Sequence, residues 1–194
     1  MRFLQATSEA GRAAGQDELV LLERICAGDA QAFDALYRAY QPRLKRFIGG
    51  MTRQPGLVEE VLDDTMMVVW HKAPTYNGEA KVSTWIFAIA YRQTLKALRR
   101  HGDEIELAEE RDAASSPEPD VERQQQELHR HLGRALAGLS AEQRAVIELT
   151  YYLGYGCREI ARIMDCPVDT VKTRMFYARR KLRTLLELKQ EEAL

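Results

Sequence analysis

Cysteine is scarce in this chain: Cys26, Cys157 and Cys166 are the only three in 194 residues, an odd number without the paired spacing of a metal site. Thiols packed as small hydrophobes are the expectation, with a redox pair between Cys157 and Cys166 as the alternative. The four histidines, at positions 71, 101, 129 and 131, have no metal-binding or catalytic spacing, and His129 and His131 fall on different faces of a helix. No glycine loop of the phosphate-binding kind is present. These absences count against an enzyme: no catalytic residue, no metal and no cofactor is expected. No apolar run is long enough to span a bilayer, and the N-terminus lacks the charged-then-apolar pattern of a signal peptide, so a soluble, cytoplasmic protein without membrane insertion is expected. Alternating strand patterns and internal repeats are missing too, which leaves an all-α chain.

What the chain does have is enough apolar residues, 45%, for one domain or two small ones, and charge sorted along its length. The formal net charge of −1 conceals three blocks. Residues 1–100 carry 14 cationic against 11 acidic side chains, residues 101–127 carry 2 against 10, and residues 128–194 carry 12 against 8. Two mildly basic blocks are joined by a strongly acidic connector, and a basic block is where a nucleic-acid partner belongs.

Helical periodicity divides the first block. Residues 1–16 are small and polar, a mobile segment by expectation. Residues 17–27 form a short amphipathic helix stopped at Gly28. Asp29 caps a longer one with Phe33, Leu36, Tyr37, Tyr40, Leu44, Phe47 and Ile48 inside; Pro42 should bend or divide it, and Gly49-Gly50 should end it. A third helix, 57–72, buries Val58, Val61, Leu62, Thr65, Met66, Val69 and Trp70 and shows an acidic outer edge. Residues 73–82, with Pro, Asn-Gly and no period, read as a loop. Ser83 or Thr84 caps a fourth helix whose Trp85, Ile86, Ile89, Ala90 and Leu98 face inward and whose cations gather at its C-terminal end. The stretch from 102 to about 121 is too acidic to fold alone.

The second block opens with a helix over about 122–137. Ser140-Ala-Glu-Gln143 is a capping box that starts another, over 141–153. Then come two short helices with a tight break. Residues 158–164 form the first, Asp165-Cys166-Pro167 interrupts it, and a second restarts with Asp169 or Thr170 as cap and runs to about residue 188. On this last helix Val171, Met175, Ala178, Leu182 and Leu185 make the packed stripe. Thr173, Phe176, Tyr177 and Arg180 occupy the opposite side, with Lys172, Arg174, Arg179, Lys181 and Arg183 along its flanks and far end. A polar and aromatic centre can meet base edges, and the flanking cations can meet phosphates. The alternative, a solvated basic helix, gives no use to Phe176-Tyr177 inside a basic run.

Four motifs, AFDALYRAYQPRLKRF, VEEVLDDTMMVVWHK, STWIFAIAYRQTLKALRR and LSAEQRAVIELTYYLGYGCREIARIMDCPVDTVKTRMFYARRKLR, occur in this order. With them the chain resembles the extracytoplasmic-function sigma factors of the bacterial sigma-70 family along nearly its whole length. The resemblance implies two small helical domains joined by a flexible acidic linker. Residues 17–101 would bind the promoter −10 element and the polymerase clamp, residues 102–123 would be the linker, and residues 124–194 would read the −35 element. Carried over by position, Glu60, Asp63 and Asp64 would face core RNA polymerase, whose β and β′ subunits are the implied partners together with promoter DNA. Tyr76, Asn77, Glu79, Ala80 and Lys81 would hold an unstacked −10 base, with Arg92 and Lys96 on the strand-opening surface. Lys172, Thr173, Arg174, Phe176, Tyr177, Arg179 and Arg180 would form the −35 interface. An anti-sigma factor is a further partner implied by the resemblance alone.

A stand-alone helix-turn-helix regulator is the competing reading, with residues 1–100 as a sensor or dimerisation domain. The loop 73–82 followed by an aromatic and basic helix separates the two, since a repressor needs no single-strand surface.

Overall fold

A computed structural model of the chain describes residues 15, 17–52, 54–102 and 138–191, with side chains up to residue 184. The expected acidic linker beyond Gly102, which is the last residue of α4, most of the N-terminal segment 1–16, the helix expected over 122–137 and the two histidines at 129 and 131 lie outside the described residues. Within the described residues the fold is helical without strands. Its elements are α1 (17–26), α2 (Ala30–Thr52), α3 (Pro55–Lys72), a 3₁₀ turn Ala73–Thr75, α4 (Val82–Gly102), α5 (Ala141–Ile147), a π turn Glu148–Tyr152, α6 (Cys157–Met164) and α7 (Val168–Glu191).

The caps follow from the residues that supply them. Asp29 Oδ1 accepts the N–H groups of Gln31 at 2.8 Å and Ala32 at 3.1 Å, and its other oxygen takes Arg24 Nε at 2.9 Å. The Ala32 N–H bond is the foremost reason its carboxyl titrates below the ordinary value. Ser140 and Gln143 form the expected reciprocal box, Gln143 N–H to Ser140 Oγ at 3.2 Å and Ser140 N–H to Gln143 Oε1 at 3.1 Å.

The glycine pair does not end α2, which runs through Pro42 and on to Thr52. Both glycines serve close approach instead. A Cβ at Gly49 would touch Val58 of α3 at 3.7 Å, and one at Gly50 would lie 2.7 Å from the Glu148 carboxyl carbon. The last turn holds because Met51 and Thr52 are buried there. Two further boundaries differ from expectation. The helix from 141 turns into a π turn at Glu148 and stops at Tyr152, before Leu153. The expected loop 73–82 begins with a 3₁₀ turn and ends where α4 starts, at Val82.

The core of the first block is the α2–α3–α4 layer. Leu36, Tyr40, Leu44, Phe47, Val61, Leu62, Met66, Val69 and Ile86 are buried as the periodicity requires, and Phe33 and Trp70 close its edge with rings 5.2 Å apart. Each fully buried aliphatic side chain contributes on the order of 1.5–3 kcal/mol. In α4, however, all six residues from Ile86 to Tyr91 are buried. A helix packed on one side leaves part of each turn outside, so α4 must be covered twice. Its second neighbour is α6 of the C-terminal block. Phe87 shows the double role: its ring meets Phe47 at 5.4 Å on one side and Tyr155 at 5.6 Å on the other.

Candidate nucleic-acid interface

The helix-turn-helix forms where the sequence placed it, beginning one residue early at Cys157. Its first helix is closed at the N-terminus by Glu159, whose Oε2 accepts the Gly156 N–H at 3.1 Å. At the other end Asp165 takes the left-handed conformation, φ 50°, and Cys166 N–H returns to the Ala161 carbonyl at 3.0 Å. The second helix starts at Val168, and its first N–H groups go to the Pro167 carbonyl, from Thr170 at 3.0 Å and Val171 at 3.3 Å. Asp169 and Thr170 are therefore inside the first turn and not at the cap. Asp169 instead receives Lys172 Nζ at 3.0 Å.

On α7 the two-faced division holds. Val171, Met175 and Ala178 are buried and Leu182 is half-buried, while Phe176 is 61% and Tyr177 52% exposed, their rings edge-to-face at 5.5 Å. Lys172, Thr173, Arg179 and Arg180 are exposed around them. Arg174 is half-buried, with Nη1 3.6 Å from Cys166 Sγ. Arg179 lies over the Tyr151 ring at 5.5 Å, which adds an aromatic of the π turn to this surface. Cys157 and Cys166 are both free thiols.

The loop 76–81 is held by its own side chains. The Tyr76 ring packs on Trp85 at 5.4 Å, and its hydroxyl donates to the Ala80 carbonyl. Asn77 Oδ1 accepts the Glu79 N–H at 3.2 Å, a local turn of the Asx kind. Asn77, Glu79 and Lys81 are exposed, Ala80 half-buried. Arg92 and Lys96 are both exposed on α4.

The acidic edge of α3 is exposed but not idle. Glu60 pairs with Arg100, and Asp63 accepts the Tyr37 hydroxyl at 3.2 Å. Asp64 and Lys96 line one groove between α3 and α4, together with Met67, a 52% exposed hydrophobe that the periodicity had not singled out. Sequence reasoning also passed over Tyr151, Tyr152 and Arg46. The Arg46 guanidinium lies over the Tyr152 ring at 3.7 Å.

A two-block helical protein with an aromatic, cation-bordered second helix in a helix-turn-helix and a structured loop ahead of a basic helix has the form of a DNA-reading protein. Comparison with known families makes the assignment specific. Residues 36–104 match sigma-70 region 2 and residues 129–182 match sigma-70 region 4. The chain is 35% identical over 159 residues to the ECF RNA polymerase sigma factor RpoE of Cereibacter sphaeroides, covering 80% of this chain and 86% of that one. It is 28% identical over 173 residues to an ECF RNA polymerase sigma factor SigK of Mycobacterium, covering 86% and 89%. The fold is similar to that of CnrH, solved in complex with the cytosolic domain of CnrY (TM-score 0.65, 21% identity, 89% of this chain and 98% of that one). It is also similar to the sigma factor RpoE of Bartonella quintana, solved with the anti-sigma factor NepR (TM-score 0.64, 24% identity, 81% and 98%). The chain belongs to the ECF sigma factors of the sigma-70 family and is an RNA polymerase sigma factor.

Proposed function

We propose that this sigma factor binds core RNA polymerase through the acidic edge Glu60, Asp63 and Asp64, reads the −35 duplex with α7, and captures the −10 strand with the loop 76–81 and the exposed cations Arg92 and Lys96. The domains are those of the sequence: 17–101 for −10 and clamp, 102–123 as connector, 124–194 for −35. The chain supplies recognition and the polymerase supplies the chemistry, in the cytoplasm, with an anti-sigma factor as the expected antagonist.

The observation that carries the −35 assignment is the exposed Phe176–Tyr177 pair. Burial of such rings is normally favourable, so two of them outward in a ring of Lys172, Arg179 and Arg180 have value against a partner that offers both apolar edges and phosphates. The half-buried Arg174, partnered by Cys166, suits a role in orienting the turn as well as a phosphate contact. The loop favours initiation over simple repression. Opening a duplex costs stacking and pairing energy, which a protein offsets only by binding the unpaired strand better than the paired one.

The test is reconstitution. The chain should co-purify with core polymerase and direct run-off transcription from a subset of genomic fragments. A chain that binds those fragments by itself and ignores core polymerase would be a stand-alone regulator.

A further inference from the structure

The π turn between α5 and α6 sends two neighbouring tyrosines to two different arginines. Glu148 and Leu149 are buried and fix its start. It closes through the Leu153 N–H to the Glu148 carbonyl at 3.1 Å and the Tyr155 N–H to the Leu149 carbonyl at 2.9 Å. Wide turns of this kind are rare and recur at functional sites. Past the buried pair, Tyr151 and Tyr152 stand 56% and 49% exposed. The Tyr152 ring lies under Arg46 of α2 at 3.7 Å, and the Tyr151 ring under Arg179 of α7 at 5.5 Å.

Arg179 belongs to one edge of the exposed face of α7. Lys172, Phe176 and Arg179 are all exposed and follow one another at spacings of four and three, so they share a row along the helix. Tyr151, which lies outside the helix-turn-helix, meets this row at Arg179. Among the described residues the partner of Arg179 is this ring and not a carboxylate. A guanidinium lying over a ring keeps its N–H donors at the rim, where a phosphate can accept two of them at once. The ring also restricts a long side chain whose freedom would otherwise be given up on binding. Packing alone gives Tyr151 little, since more than half of it faces solvent.

We propose that Tyr151 is a positioning residue for duplex recognition: its ring holds the Arg179 guanidinium at the edge of α7, ready for a phosphate of the −35 element. The proposal rests on the reading of α7 as the −35 face. The interface then extends beyond the two helices of the motif, onto the turn that precedes them. Because Tyr151 acts through a cation that meets phosphate, it sets affinity and leaves base preference to Phe176 and its neighbours.

The test uses the full-length chain assembled with core polymerase, titrated onto a duplex promoter fragment that the parent holoenzyme selects, over a series of salt concentrations. Tyr151→Leu keeps an apolar side chain and removes the aromatic face; Tyr151→Phe keeps the face and removes the hydroxyl. Tyr151→Leu should bind the duplex about two- to fivefold more weakly, and Tyr151→Phe should bind like the parent. With Arg179→Ala already present, Tyr151→Leu should add no further loss. Selection over a randomised −35 element should return the parent's base preferences for Tyr151→Leu. Equal losses in the Leu and Phe variants, a Tyr151→Leu loss that multiplies with that of Arg179→Ala, or altered base preferences would overturn the positioning role. So would parent-like binding by Tyr151→Leu when Phe176→Ala and Arg179→Ala lose affinity. If Phe176→Ala and Arg179→Ala both bind as the parent does, the −35 reading of α7 fails and the positioning role falls with it.

Discussion

Glu148 and Gly50 are locked in shape across the two blocks: a methyl group at position 50 would stand 2.7 Å from the Glu148 side chain. Burial raises the Glu148 carboxyl above the ordinary value of 4.5, with the Arg46 charge opposing it. A carboxyl whose folded-state pKa is raised binds its proton better in the folded chain. Its contribution is therefore present at pH below 4.5 and is lost as the pH rises through the raised folded value. Glu148→Gln is expected to be more stable than the parent at pH 8 and to lose that advantage toward pH 4. Thermal unfolding of both at several pH values checks it; a constant difference would show that the charge is not what burial penalises.

Tyr76 is tied at both ends, by Trp85 to its ring and by Ala80 to its hydroxyl. Tyr76→Phe should cost about 0.5–1.5 kcal/mol of stability and weaken strand capture, with polymerase binding retained. Trp85→Ala removes the platform and should cost more, on the order of 3–5 kcal/mol if its packing is typical of a large aromatic. Chemical denaturation measures both. Full promoter opening by Tyr76→Phe would mean that the loop does not depend on this strut.

The face of α7 proposed to read the −35 element offers two kinds of loss. Phe176→Ala should cost on the order of 1–3 kcal/mol at particular base positions. Arg179→Ala should weaken binding evenly across sequences and lower the salt dependence by about one unit of slope. Binding selection over a randomised −35 element at two salt concentrations distinguishes them, and identical sequence profiles for the two variants would remove the division of roles.

Ser140 caps α5, the first helix of the C-terminal block among the described residues. Ser140→Ala breaks the bond from the Gln143 N–H and should lower stability by about 1 kcal/mol. A variant that unfolds with the parent would indicate that α5 is fixed by packing alone.

Most of this architecture was legible because it depends on local patterns. Apolar spacing found the buried stripes of α2, α3 and α7, and Asp29 and the Ser140 box marked helix starts by chemistry that acts within three residues. Gly49-Gly50 misled because a glycine pair signals a helix end and close approach equally well, and the object approaching Gly50 is a side chain 98 positions away. The run IFAIAY carried a sign of the second covering of α4, since an apolar stretch without a polar face needs two neighbours. Which neighbour could not be read locally. Lys81 with Glu159 and Arg46 with Tyr152 are pairs whose partners are set only when both blocks fold. The candidate residues of α7 were accessible to sequence reasoning because one helix carries them all; Met67 and Tyr151 acquire their setting from neighbouring helices.

Strand capture in the loop 76–81 is the step by which this chain is proposed to open promoters. Permanganate footprinting tests it most directly, with core polymerase and a linear promoter selected by the reconstituted holoenzyme from genomic fragments. The parent chain should give reactive thymines in the −10 region. The Asn77→Ala/Lys81→Ala chain should bind polymerase and the −35 element normally, lose that reactivity on duplex, and recover much of its transcription on a premelted template. Equal impairment on duplex and premelted templates, or full thymine reactivity in the double variant, would show that the loop does not open promoters by strand capture.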